Sequence, residues 1–280
     1  MTLTSRIGCA AAGLLLTAGG SSLATDKDAA NLPKEAVRQF GQDAPRKLFG
    51  ACDDGCFAVA FSPDGTQIAT GHGWEARRWD VASGRLLHAY PNPRGTVHST
   101  AFSPDGTALA LGGYANSFVL YDLKNGRKLA EPAVGVCVGF YLDFSADGKQ
   151  LLADSGGGRG NRWDEVLLWD LAAQKVLQRY RVDGVCKKAR ITPDGKTVVS
   201  GDSHGKVTAF DADTGKVAWS QGVEGGSVLD VQITTDGKRV VAVSSYPVPY
   251  VTVMTLDTGN ELLRIPHEET VRAIACLLYT

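Results

Sequence analysis

An excess of charge of either sign is missing from this sequence: 29 Lys and Arg stand against 30 Asp and Glu over 280 residues, a formal net charge of −1. That balance supplies no general pull toward nucleic acid or an anionic membrane, so neither is an expected partner. Long apolar runs are missing too. The run from Ile7 to Ala18 has 12 residues, short of the ~20 that a membrane-crossing helix needs. There is no Cys-x-x-Cys pair and the five histidines are scattered, so no metal site is expected. No Gly-x-Ser-x-Gly elbow is expected and nothing links a serine to those histidines, so no catalytic residue is assigned and nucleophilic hydrolysis is not expected.

What is present points to many short elements. Glycine accounts for 33 of 280 residues and proline for 11, against a usual glycine share of ~7%, which favours tight turns and an all-β chain. The N-terminus has Arg6, the short apolar run and then Ser22-Leu23-Ala24 before Thr25-Asp26-Lys27-Asp28. This is the three-part layout of a secretory signal peptide, with cleavage expected after Ala24. Residues 25–45 read as a polar linker, and the mature chain is expected to be exported, periplasmic or extracellular, with no membrane attachment after cleavage. It retains Cys52, Cys56, Cys137, Cys186 and Cys276. An odd number cannot all pair internally; Cys52 with Cys56 is one candidate pair, and small buried residues at strand starts are the alternative for the others.

A repeat governs the rest. The block Phe61-Ser62-Pro63-Asp64-Gly65 returns as Phe102 to Gly106, Phe144 to Gly148, Ile191 to Gly195 and Ile233 to Gly237, with its aspartates 41, 42, 47 and 42 residues apart. Each block reads as a turn: proline presets φ, Asp bonds nearby N–H groups, and glycine takes the closing conformation. A second landmark follows each block, an aromatic or apolar residue and then Asp: Trp79-Asp80, Tyr121-Asp122, Trp169-Asp170, Phe210-Asp211 and Leu256-Asp257. With the β-rich runs between them, every repeat holds four strands, a to d. Such a unit buries its faces only against its neighbours, in a ring.

On these residues the chain resembles the WD40 family over roughly residues 46–276, within a propeller domain expected to span residues 46–280. The resemblance implies an all-β propeller of four-stranded blades, five full blades plus an incomplete sixth. That family often places Gly-His between strands d and a, where the histidine joins a buried tetrad with Asp, Ser or Thr, and Trp. The linkers Cys52 to Gly55, Asn92 to Gly95, Val134 to Val136, Val182 to Gly184 and Val223 to Gly226 contain no histidine, so blade stability is expected to rest more on apolar packing.

Lys47-Leu48-Phe49 aligns with the d strands and is expected to complete the ring with C-terminal inner strands. Val271 to Ala275 begins a sixth blade as strand a, but the chain then reads Cys276-Leu277-Leu278-Tyr279-Thr280. One permitted coding of that tail, read one base later, translates as Ala-Phe-Ser-Thr-Pro, matching Ala60-Phe61-Ser62 and Ala101-Phe102-Ser103. A frameshift near Cys276 is the expectation, with at least two more strands in the intact protein for six blades, or ~60 residues for seven. As written, the open edge invites self-association.

In the architecture that the resemblance implies, d–a and b–c loops share one face. The b–c loops are the longest and each holds an aromatic residue or a histidine. The expected partner-binding set is Trp74, Tyr114, Arg159, Arg162, Trp163, His204, Tyr246 and Tyr250, because rim aromatics and arginines bury large area at low entropy cost. The alternative for each ring is a cover over a blade end. The expected function is a non-catalytic scaffold that binds a protein or peptide without a cofactor. The competing reading is a quinoprotein-like propeller enzyme, suggested by Asp211 to Trp219. The Gly156 to Gly160 cluster has no following helix or lysine and reads as a flexible loop rather than a phosphate cradle. Asp53, Asp54 and Glu224 are turn residues without a legible paired geometry.

Overall fold

The computed structural model describes residues 55–92, 95–113, 118–132, 141–154, 164–245 and 248–268. Those residues form five four-stranded antiparallel sheets in simple meander order. Blade 1 comprises β1 (Ala58–Phe61), β2 (Gln67–Gly71), β3 (Glu75–Asp80) and β4 (Leu86–Pro91). Blade 2 has β5 (Val97–Phe102), β6 (Ala108–Gly113), β7 (Phe118–Asp122) and β8 (Lys128–Ala130). Blade 3 has β9 (Leu142–Phe144), β10 (Gln150–Asp154), β11 (Asp164–Asp170) and β12 (Lys175–Val182). Blade 4 has β13 (Cys186–Ile191), β14 (Thr197–Asp202), β15 (Lys206–Asp211) and β16 (Val217–Gly222). Blade 5 has β17 (Val228–Ile233), β18 (Arg239–Ser244), β19 (Tyr250–Thr255) and β20 (Glu261–Pro266). The expected closure through Lys47 to Phe49, the strand from Val271 and the open sixth blade lie outside the described residues.

The repeated block is the a–b turn of every blade, and its chemistry is uniform. Ser62, Ser103, Ser145, Thr192 and Thr234 each donate a hydroxyl to the Asp two residues on. The same carboxylates accept the backbone N–H of Thr66, Thr107, Lys149, Lys196 and Lys238. These donors, the hydroxyl first, hold all five Asp carboxyls below their usual range. The glycine that follows sits at a φ between 64° and 72°, where a Cβ is strained. In each blade an N–H from the c–d turn then crosses to the a–b turn, from Val81 to Thr66 in blade 1 and Leu256 to Lys238 in blade 5. These two turns therefore share one face.

Blade 5 corrects the expected landmark. Thr255, not Asp257, pairs with the first residue of strand b, as Asp80 does in blade 1, and Met254 takes the place of Trp79. Gly259 closes its turn on Thr255 as Gly84 closes on Asp80. Thr255 Oγ1 does the aspartate's work, meeting Thr258 Oγ1 at 2.6 Å and accepting Asn260 N–H at 3.2 Å. In blade 3 the left-handed turn position belongs to Gln174, at φ 51°, where the other four blades have glycine.

Four apolar clusters join the five blades. Tyr90 and Ala76 of blade 1 meet Phe102, Leu109 and Tyr121 of blade 2. Phe118 and Leu120 then meet Phe144, Leu151 and Trp169, with the Phe118 and Trp169 rings edge-on at 5.8 Å. Leu152, Val166 and Tyr180 meet Ile191, Val198 and Phe210; Val199, Val207 and Trp219 meet Val231, Val240 and Met254. Period-2 strands bury both faces this way, one against each neighbour.

Apolar packing does not act alone. In blade 1, Trp79 Nε1 donates to Thr70 Oγ1 at 2.8 Å, and that oxygen lies 2.8 Å from His72 Nε2. The histidine comes from the b–c loop rather than the d–a linker. Blades 3 and 4 hold only halves of this relay: Ala153 occupies Thr70's place in the blade of Trp169, and Ser200 occupies it in a blade with Phe210 instead of Trp. Both Trp169 Nε1 and Ser200 Oγ are buried without a hydrogen-bond partner among the described residues. Cys186 is a buried thiol at the start of β13, beside the Tyr141 hydroxyl at 3.4 Å, and Cys56 is an exposed thiol; Cys52, Cys137 and Cys276 lie outside the described residues.

Candidate functional site

The face opposite the a–b turns is laced together by backbone bonds between loops. Asn92 N–H donates to Trp74 O at 2.7 Å, Val97 to His72 O at 2.8 Å, Val223 to Gly205 O at 2.8 Å and His267 to Pro249 O at 2.9 Å. Each bond ties a d–a linker, or for Val97 the first residue of the next strand a, to a b–c loop. The loops therefore share a face for the reason that neighbouring strand ends must: their free N–H and C=O groups satisfy one another.

Three of the eight expected binding residues can be placed. Trp74 is 45% exposed, so its ring is presented to solvent rather than folded over the blade end. His204 is exposed at the b–c turn of blade 4, beside Lys206, whose ammonium pairs with Asp183 at 2.8 Å. That pairing raises the Lys206 pKa and lowers that of Asp183. Beneath the turn, Asp202 is 1% exposed and accepts the N–H groups of His204 and Lys206 at 2.8 and 3.0 Å. Burial outweighs those bonds and raises its carboxyl pKa. Tyr250 is half-buried at the start of β19, with the Arg264 guanidinium 5.6 Å from its ring centroid. Tyr114, Arg159, Arg162, Trp163 and Tyr246 lie outside the described residues, as do Asp53, Asp54 and the Gly156 to Gly160 cluster. Glu224 pairs with Arg264 at 2.5 Å.

Two features depart from expectation, the first a Gly-x-Ser-x-Gly spacing that the sequence does contain. Gly201-Asp202-Ser203-His204-Gly205 has Gly-x-Ser-x-Gly spacing, yet it runs strand–turn–strand between β14 and β15 rather than into a helix. Ser203 Oγ accepts Val185 N–H at 3.0 Å, which makes it a turn residue. The second is a charged belt on the inner strands of blades 3 to 5. Arg190 on β13 meets Asp143 on β9 at 3.5 Å and Gln232 on β17 at 3.1 Å. Burial holds the neighbouring Lys188 down at about 8, with Arg190 adding to the effect and Asp230, Asp143 and Asp154 opposing it. Burial likewise raises Asp143 despite Arg190. The only signal for this belt in the sequence is charge at inner-strand positions that are otherwise small or apolar. Among the described residues no three of His, Cys, Asp and Glu converge as metal ligands.

The WD40 family profile, described as WD domain, G-beta repeat, matches residues 44–80. It falls on the first of five meandering four-stranded blades on a ~40-residue period. The chain is a β-propeller with a WD40 repeat in its first blade. A second profile, PQQ_2, described as outer membrane protein assembly factor BamB, matches residues 164–264 of this chain. Autophagy-related protein 16 of Arabidopsis thaliana is 23% identical over 195 residues, 68% of this chain and 37% of that protein. The 77 kDa echinoderm microtubule-associated protein of Lytechinus variegatus is 32% identical over 134 residues, 45% of this chain and 19% of that protein. Eukaryotic translation initiation factor 3 subunit I of Pyricularia oryzae is 26% identical over 197 residues, 66% of this chain and 57% of that protein. The chain thus spans between 19% and 57% of the length of each of these relatives. Among solved structures, hydrazine synthase of Kuenenia stuttgartiensis superposes with a TM-score of 0.64 at 20% identity, over 75% of this chain and 66% of that one; that likeness concerns the fold alone.

Proposed function

We propose that this protein is an exported, non-catalytic scaffold whose loop face binds a protein or peptide. The observation that carries the reading is the exposure of Trp74, at 45%, on the same laced face as His204 and Tyr250. A ring that only sealed a blade end would be buried like Tyr90 or Tyr180, each 0% exposed. Rigid aromatics on backbone-bonded loops lose little entropy on binding and form the usual anchors of an interface. Tyr114, Arg159, Arg162, Trp163 and Tyr246 belong to the same proposed set by their place in the b–c loops. WD40-type relatives that are named as a microtubule-associated protein and as a subunit of an initiation factor accord with a protein-binding role.

The test is selection of peptides on the 280-residue chain from a random heptapeptide display library, followed by affinity measurement on variants. Trp74→Ala with His204→Ala is expected to weaken selected peptides by tenfold or more, while Lys124→Ala on the opposite face changes little. Equal binding by all variants would sink the assignment. The quinoprotein-like enzyme reading draws on the PQQ_2 match over residues 164–264, and a quinone absorption band or dye reduction by the purified protein would favour it over the scaffold.

A further inference from the structure

One corner of the loop face, where blades 4 and 5 meet, is pre-built. Tyr250 donates its N–H to Ser244 Oγ at 3.3 Å, and the same hydroxyl, 1% exposed, donates to Glu224 O at 2.6 Å. A single buried serine therefore holds the linker between the blades and the start of β19 together. Gly225 makes the approach possible: it has φ 99°, and a Cβ there would lie 2.5 Å from Ser244 Oγ and 2.4 Å from Val248 O. The side chains are fixed as well. Arg264 lies 5.6 Å from the Tyr250 ring centroid and contacts Glu224 and Glu261, both at 2.5 Å. Its side chain is 29% exposed, while that of Glu224 is 65% exposed.

Two consequences follow from this geometry. The Tyr250 ring is ordered before any partner arrives, so binding to it forfeits little further side-chain entropy. Two carboxylates against one guanidinium leave the corner with a net negative charge, and the more exposed carboxylate belongs to Glu224. We propose that the Tyr250 and Glu224 corner is the specificity-determining anchor of the loop face and takes a basic peptide residue. The aliphatic stem of an arginine or lysine lies on the Tyr250 ring and its cationic head pairs with Glu224. Arg264 is a positioning residue that holds both. This inference rests on the loop-face reading and names the partner chemistry of that face.

The experiment uses heptapeptides selected on the 280-residue chain. Arginine or lysine is expected to be enriched among them, Tyr250→Ala is expected to lower affinity tenfold or more, and Glu224→Lys is expected to do the same. A peptide with its basic residue replaced by glutamate should regain binding to Glu224→Lys, a rescue that no purely structural role for Glu224 would produce. Arg264→Gln should weaken binding severalfold while the preference for a basic residue persists. Peptides that are lost on Trp74→Ala with His204→Ala, yet indifferent to Tyr250→Ala and Glu224→Lys, overturn this anchor and leave the binding face standing. Peptides lost on none of these variants, or a library yielding none that binds this face, overturn both.

Discussion

Thr70, Ser200 and Ala153 occupy one equivalent position in strand b of blades 1, 4 and 3, yet substitution there should act in opposite directions. Thr70→Ala strips the Trp79 indole N–H of its 2.8 Å acceptor and His72 of its 2.8 Å contact. Trp79 is 3% exposed, so water does not readily replace the acceptor, and the expected loss is about 1–3 kcal/mol. Ser200→Ala removes a hydroxyl that is 1% exposed and has no hydrogen-bond partner among the described residues. That change is expected to be neutral or to stabilise by up to ~1 kcal/mol, since a buried polar group without a partner is itself a cost. Ala153→Ser supplies Trp169 Nε1 with the acceptor it lacks and is expected to stabilise by about 1 kcal/mol. Urea titrations followed by tryptophan fluorescence measure all three, and thermal melts should shift by ~2–4 °C per kcal/mol in the same order. If Ser200→Ala costs as much as Thr70→Ala, the relay is not what distinguishes these blades and the argument fails.

Other expectations are as direct. The half-buried Lys188 has its pKa lowered from 10.5 to about 8. The folded state therefore bears the cost of the ammonium below pH ~8, and stability should climb by about 1–3 kcal/mol as pH rises through the window between the two values. Lys188→Met should flatten that climb in denaturant titrations run across the same range. Gln174→Gly relieves a side chain held at φ 51° and should stabilise by about 0.5–1 kcal/mol, read as a higher urea midpoint. Export is checked by mass spectrometry of the secreted or periplasmic protein, where a mature N-terminus at Thr25 is expected; a chain retained with Met1 intact would refute it.

Repetition made much of the fold legible without coordinates. Five Asp-Gly turns on a ~40-residue period specify hairpins, and hairpins of that period specify blades, because φ preferences and turn hydrogen bonds are local and survive in any context. The same local logic put Trp74 and His204 in b–c loops, while Tyr250, expected in such a loop, opens β19 at its end. Blade 5 shows where it stops. Leu256-Asp257 spells the expected landmark, but Thr255 holds the turn, because strand register is set by pairing across the sheet and by Gly259 rather than by a dipeptide. The missing linker histidine had a similar limit: His72 reaches Thr70 from another loop of the same blade, a path that spacing along the chain does not reveal.

Tertiary structure alone decided the contacts between blades. Arg190 meets Asp143 from 47 residues away and Gln232 from 42, and Glu224, Tyr250 and Arg264 become one corner through Ser244 and two ion pairs. Composition and pattern determined that this chain forms glycine-rich, four-stranded repeats with apolar faces. Which charged and aromatic side chains face one another follows from the angle and register at which those faces pack, and packing is a property of pairs of blades, not of any single repeat.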